Sequence, residues 1–386
     1  MSPQFKKEYM ENFHLRYKKA KTRAEKSALI TELCTTCKWH RKHAIRALSN
    51  FKRFTKPKPK KRGKPSKYNK PEIIKILKRI WLAAYMPCSK NFKALIPLWI
   101  PSYQLEYEAI PDEIIKLLYE ISPASIDRVL KPTRIKFTGK GRSTTKPGTL
   151  IRNQIPIKTN QWDESRPGFI EADTVAHCGD KIEGMYAFTL DTVDIATGWT
   201  EQRAVWGKGY TGVMEQIKDI EEALPFPLLG FDCDNGGEFL NWHLYRHFTD
   251  RKKLIEFTRS RAYKKNDNAH IEQKNWTHVR QWLGYVRLDN PKVIPLMNEL
   301  YTSEWRLYHN FFCPSMKLKD KKRIASKTIK CYHSPKTPYQ RVLESKHVSN
   351  KDKNDLKEQF AGLNPFKLRK AIDKKISNIL KVNRQK

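Results

Sequence analysis

The sequence predicts a multidomain protein with an α-helical N-terminal part, a central α/β core and a small basic C-terminal region. The core is expected to hold a mixed five-stranded sheet with flanking helices. Three observations predict this. Apolar residues recur at helical spacing within residues 5–50 and 71–130. From residue 168 the pattern changes to three hairpin-linked strands, then alternating helix and strand. The formal net charge of +36 is also uneven: +17 over residues 1–67, +8 over 68–167, −4 over 168–289 and +15 over 290–386. A chain of 386 residues exceeds one ordinary compact domain. Basic flanks around a near-neutral core suit a polyanionic partner, because neutralised phosphates release counterions.

Residues 1–50 read as a helix-turn-helix domain. Residues 24–33 place Ala28, Leu29 and Leu33 on one face, and residues 39–48 place Ala44, Ile45 and Leu48 on one face, with a break at Cys34–Cys37. The second helix would turn Lys38, His40, Arg41, Lys42 and Arg46 outward, toward a major groove. An ordinary helical hairpin with a solvated basic face is the alternative. Cys34, Cys37, His40 and His43 invite a zinc reading, but all four fall within ten residues. A tetrahedral Cys₂His₂ site needs a longer excursion between its pairs. Residues 51–70 form a basic linker, too rich in Lys and Pro for a helix or strand. Within it, Lys61-Arg62-Gly63-Lys64-Pro65 resembles an AT-hook, which would lay Lys61, Arg62 and Lys64 along a minor groove; a solvated tether explains it equally well.

Residues 71–131 form a second helical domain, for DNA binding or as a spacer. Pro71 opens a run through Ile73, Ile76, Leu77, Ile80 and Trp81, Ile114 to Leu118 mark another helix, and Ser122 caps a short one. Residues 132–160 are a second basic linker. The core, residues 161–290, is expected to run as strands Phe169–Val175, Met185–Val193 and Gly198–Trp206, helix Tyr210–Leu224, and strand Leu228–Cys233. Helix Asn241–Asp250, strand Lys253–Thr258 and a long helix Asn268–Val286 would follow. Residues 291–386 carry further helical patterning and a basic surplus.

The chemistry lies in three acidic residues, Asp173, Asp234 and Glu272. Sixty residues separate the first two and thirty-seven the last two. Asp173 sits mid-strand, where an unpaired charge is costly. Asp234 ends a buried strand and precedes Asn235-Gly236-Gly237, which permits a tight turn. Glu272 starts a helix that can aim it at the pair. Three converging carboxylates form an oxygen-rich site for hard divalent cations. Glu171, Asp191, Asp194, Asp232 and Asp267 compete for the role.

The runs Asp-Asn-Gly-Gly-Glu-Phe (234–239) and Lys-Lys-Asn-Asp-Asn-Ala-His-Ile-Glu-Gln-Lys-Asn (264–275) resemble the retroviral-integrase-like DDE transposases of bacterial insertion sequences. The resemblance covers roughly residues 160–290. It implies a ribonuclease H-like catalytic core in which Asp173, Asp234 and Glu272 bind two Mg²⁺ or Mn²⁺ ions. The implied activity is DNA 3′-end cleavage and strand transfer at the ends of an insertion sequence. The alternatives are a ribonuclease H-like nuclease without strand transfer and a non-catalytic DNA-binding derivative. The implied partners are double-stranded DNA (terminal inverted repeats and target) and further copies of the chain in a homo-multimer. Tyr263, Lys264, Lys265, Lys274 and Asn275 would lie along the DNA. Many relatives carry a basic residue seven positions after the glutamate. Here that position is Val279, and Arg280 follows, turned about 100° round the helix. Trp276 and Trp282 are expected in the core. Seven scattered cysteines, no secretory leader and no apolar run of membrane-spanning length predict a cytoplasmic protein, and the resemblance implies a bacterial, nucleoid-associated one.

Overall fold

A computed structural model describes residues 3–49, 66–135, 165–234, 236–260, 269–324 and 327–385. They divide into two compact units, 1–66 and 67–386. In the first, α1 (Pro3–Lys19), α2 (Arg23–Cys37) and α3 (Arg41–Ser49) close around Met10, Phe13, Ile30, Leu33, Ala44 and Leu48. Ile30 takes the inward position expected of Ala28, and Ile45 is exposed. The expected break at Cys34–Cys37 is helical. Thr35 and Thr36 return their hydroxyls to the carbonyls of Thr31 and Glu32 at 3.0 and 2.9 Å, and so stay inside the helix. The turn falls instead at Lys38, which adopts a left-handed conformation.

Helix α2 begins with a capping box. Thr22 Oγ1 accepts from Glu25 N at 3.2 Å, and the Glu25 carboxylate accepts from Thr22 N at 3.3 Å. Thr22→Ala is expected to cost this unit about 1 kcal/mol. Thermal unfolding of wild type and variant, followed by circular dichroism, checks this.

The second unit starts with four helices, α4 (Pro71–Ala83), α5 (Ser89–Glu106), α6 (Asp112–Glu120) and α7 (Pro123–Arg134). The sheet follows: β1 (Phe169–Ala176), β2 (Ala187–Asp194), β3 (Thr200–Trp206), then α8 (Tyr210–Ala223), β4 (Gly230–Cys233), α9 (Trp242–Thr249) and β5 (Glu256–Arg259). Its order is β3-β2-β1-β4-β5. The first three strands pair antiparallel, while β4 lies parallel to both β1 and β5. This mixed five-stranded sheet with flanking helices is consistent with a ribonuclease H-like core. Hairpins join β1, β2 and β3, and helical crossovers bring in β4 and β5, as parallel pairing requires.

Next come α10 (Ala269–Lys274), a π-helical stretch Asn275–Arg280 and α11 (Gln281–Leu283). The C-terminal region holds α12 (Val293–Leu300), a second π-helical stretch Tyr301–Trp305, α13 (Arg306–Phe312), hairpin strands β6 (Leu318–Ile324) and β7 (Lys327–Tyr332), α14 (Pro338–Glu344), α15 (Asn350–Ala361) and α16 (Pro365–Arg384).

Alternation along the strands separates two cores. Ile170, Ala172, Phe188, Leu190 and Phe231 face Val213, Ile217, Leu244 and Phe248 of α8 and α9. Val175, Ala187, Trp199 and Ala204 join the other core, which runs continuously through α4–α7 and α12–α16. The segments 71–131, 161–290 and 291–386, drawn as separate domains from the sequence, therefore share one body. Their apolar faces complete each other across long sequence separations. Residues 50–65 and 136–164, which take in most of the expected linkers 51–70 and 132–160, lie outside the described residues, and with them Lys61, Arg62 and Lys64; the start of the second expected linker, 132–134, is the end of α7.

Candidate active site

The parallel pairing of β1 and β4 builds the site. Ala172 is paired with Cys233, so continuing the register by one residue sets Asp173, in the middle of β1, beside Asp234, just past the end of β4. Asp173 is half-buried. Its Oδ1 accepts from Thr174 N at 2.7 Å and its Oδ2 from Asn275 Nδ2 at 2.7 Å. Burial, then the neighbouring charge of Asp234, pushes Asp173 up to about 7. Burial and the charge of Glu238 likewise raise Asp234. Asp234 Oδ1 accepts from Gly236 N at 2.8 Å, closing the turn after β4.

Glu238 is an acid of this site that the sequence reading did not single out. It is 4% exposed, and its Oε1 takes hydrogen bonds from Thr174 Oγ1 at 2.8 Å and Lys208 Nζ at 2.7 Å. A Cβ placed on Gly236 would meet Glu238 Oε2 at 2.6 Å and Asp234 Oδ1 at 2.8 Å. Both carboxylates thus crowd one point that only glycine leaves open. The signal in the sequence was the glycine pair preceding Glu238.

Glu272 stands exposed on the first turn of α10, three residues before Asn275. Among the described residues no group of three His, Cys, Asp or Glu side chains is gathered closely enough to hold a metal. The structure therefore brings Asp173, Asp234 and Asn275 together and leaves Glu272 one helical turn away. All oxygens available here belong to carboxylates and an amide whose Oδ1, on Asn275, is buried without a hydrogen-bond partner. Such a donor set suits a hard divalent cation, whose charge would relieve the crowded carboxylates.

The competing acids among the described residues carry hydrogen bonds of their own. Glu171 accepts from Ile271 N at 3.2 Å, and Asp232 from Thr258 Oγ1 at 2.6 Å. Asp194 holds the β2–β3 turn through Thr197 N at 2.7 Å. Asp191, opposite Asp173 across β1 and β2, accepts from Gln202 Nε2 at 2.7 Å. Asp267 lies outside the described residues.

The expected DNA contacts divide. Lys38, His40, Arg41, Lys42 and Arg46 are exposed on the first unit, with Lys38 and His40 in the turn ahead of α3 rather than on it; the Arg41 guanidinium also donates to Thr31 Oγ1 at 2.8 Å and Ser27 Oγ at 2.6 Å. Tyr263, Lys264 and Lys265 lie outside the described residues. Lys274 and Arg280, expected on a DNA-facing surface, turn inward instead. Lys274 is 9% exposed, and Arg280 donates to Ala176 O at 2.6 Å and covers the Tyr285 ring. For Arg280 the cause is the π-helical stretch, whose i→i+5 bonding changes the phase of the residues in and after it; Lys274 precedes that stretch, at the end of α10. Trp276, expected in the core, is 48% exposed, whereas Trp282 stacks on Tyr85 with ring centroids 4.2 Å apart. Among the described residues no helix is long and apolar enough to cross a membrane.

No family model matches the chain. It is 36% identical over 321 residues to "Uncharacterized protein y4rM" of Sinorhizobium fredii (strain NBRC 101917 / NGR234), covering 83% of this chain and 90% of that one. Among solved structures, the catalytic core domain of BIV integrase is 14% identical with a TM-score of 0.29, covering 47% of this chain and 96% of its own. A simian T-cell lymphotropic virus intasome in complex with PP2A regulatory subunit B56 gamma is 13% identical with a TM-score of 0.32, covering 62% of this chain and 73% of its own. At these scores the fold rests on the strand order and registers above.

Proposed function

Because the chain belongs to the family of the Sinorhizobium fredii protein y4rM, itself uncharacterized, we propose a function from its own residues: a DDE-type transposase acting on insertion-sequence ends. The observation that carries this reading is the juxtaposition of Asp173, in the middle of β1, and Asp234, just past the end of the parallel strand β4, with Asn275 of the Glu272 helix bonded to Asp173. Asp173, Asp234 and Glu272 would hold two Mg²⁺ or Mn²⁺ ions. When bound, these supply Lewis-acid activation for in-line displacement at phosphorus. Asn275 fixes the Asp173 carboxylate through Oδ2, and the Gly236 turn holds Asp234. Lys208 offsets the charge of Glu238, so that carboxylate can stand beside Asp234.

Water would attack the phosphodiester at the element end and free a 3′-hydroxyl. That hydroxyl would then attack a target phosphodiester, displacing the target's own 3′ oxygen, with no covalent protein intermediate. The exposed basic residues of the first unit would contact the terminal repeats, and two DNA ends would require a multimer. Incubating the protein with a labelled element end, Mg²⁺ and plasmid tests this. Strand-transfer products support the proposal. Cleavage alone assigns the site to a nuclease, and a mobility shift without cutting assigns the chain to a non-catalytic DNA binder.

Gly236→Ala is expected to slow cleavage on the order of 10–10²-fold, because the new methyl displaces both carboxylates. Single-turnover rates on the same labelled end measure it.

A further inference from the structure

We propose that an exposed aromatic patch beside the carboxylates, formed by Tyr210, Trp242 and His243, stacks unpaired nucleobases of the DNA strand that enters the site, a role that rests on the functional reading above. Helices α8 and α9 both begin here. The Tyr210 ring, first in α8, lies parallel to the His243 ring, second in α9, with centroids 4.7 Å apart and 5° between the planes. Trp242, first in α9, meets Tyr245 edge-to-face at 5.7 Å. Tyr210 and Trp242 nevertheless each keep 48% exposure, and His243 is exposed as well. Large aromatic side chains are otherwise mostly covered, so rings gathered on one surface mark an interaction site.

The patch is tied to the carboxylate site at two points, both on Glu238. Lys208, two residues before Tyr210, donates to Glu238 Oε1 at 2.7 Å while its side chain stays 40% exposed. Asn241, which caps α9 by accepting from Leu244 N at 2.9 Å, donates from Nδ2 to Glu238 O at 2.8 Å. Trp242 is four residues from Glu238, at most about 14 Å along the chain. A strand held by its phosphate at the carboxylates therefore brings the neighbouring bases to the rings. The chemistry of the patch selects this occupant. Every base has a π-face, and stacking on an aromatic side chain is tolerant of sequence. Bases inside a duplex have both faces covered, so those that stack here are unpaired. Lys208 and Arg246 are exposed beside the rings, and neither helix has an acid in its first turn to repel a strand. A protein seated on these rings would instead crowd the DNA at the carboxylates.

Fluorescence anisotropy of the full chain with a labelled single-stranded oligothymidylate in EDTA tests this. No cleavage is needed, so the result stands apart from whether the carboxylates transfer strands. Trp242→Ala and Tyr210→Ala are each expected to weaken single-strand binding about fivefold or more, while a labelled blunt duplex binds within about twofold of wild type. Trp242→Phe, which keeps a flat face, should recover most of the affinity, and Trp242→Leu, which keeps only bulk, should not. If one alanine variant fails to fold, the other decides. Single-strand affinities within about twofold of wild type in the folded alanine variants overturn the proposal. Equal loss on single strand and duplex also overturns it, and gives the patch to the phosphate backbone. Unchanged single-strand binding with lost self-association in sedimentation overturns it too, and gives the patch to a second copy of the chain.

Discussion

Asp173→Asn and Asp234→Asn are each expected to reduce divalent-ion-dependent cleavage of element-end DNA on the order of 10³-fold or more. Asparagine preserves the shape of each side chain, so the loss would be of charge and oxygen donors. The pH dependence follows from the same two groups. Burial and the charge of Asp234 lift Asp173 from its ordinary 3.8 to about 7, and burial and the charge of Glu238 raise Asp234. A cation must displace a proton from Asp173, so Mn²⁺ affinity should climb about tenfold per pH unit on approach to neutrality and level off above it. In the ion-free protein the ionised forms are penalised. The stability contribution of Asp173 is then complete below 3.8 and lost as pH rises through about 7. Chelation should accordingly lower the thermal midpoint at pH 8 and leave it nearly unchanged at pH 5. Manganese titrations and melting curves across that range read both effects. A flat profile, or full cleavage by either variant, would remove these carboxylates from the chemistry.

Trp99→Ala is expected to destabilise the whole 67–386 unit by about 3–5 kcal/mol. Trp99 is fully buried, meets Tyr308, Phe312 and Phe366 edge-on at 6.2, 6.3 and 4.9 Å, and donates from Nε1 to Phe312 O at 3.4 Å. It thereby joins α5 to α13 and α16, helices more than two hundred residues away. Denaturant unfolding, followed by far-ultraviolet circular dichroism and by hydrogen exchange in the sheet, should shift together. A shift confined to α4–α7 would mean that these helices fold as a body of their own.

The strands of the core were legible because their alternation is strong and each is bounded by turn residues. β1, β2 and β3 fall within two residues of their expected limits at each end. Helix α5 was not, because Pro97 and Pro101 interrupt its pattern while its buried face, through Phe92, Leu95, Ile96, Trp99 and Tyr103, holds it helical. The extent of the second unit was equally illegible. An apolar stripe reveals that a helix needs a partner, not that the partner lies near the other end of the chain. At the site, Asp173 and Asp234 could be chosen by position, whereas the hydrogen bonds of Glu171, Asp194 and Asp232 are not displayed by the sequence. Glu238 became visible through its closeness to Gly236. The inward turn of Arg280 followed from a change of helical pitch that side-chain periodicity does not encode.

That change of pitch gives one rod two jobs. At its first residue, the Asn275 amide must reach Asp173; downstream, Trp282 must seat against Tyr85. A uniform spiral would satisfy one and misalign the other. Removing a single residue between 275 and 280 would thus act like a slipped gear tooth, preserving the helix while disengaging either the carboxylate or the indole.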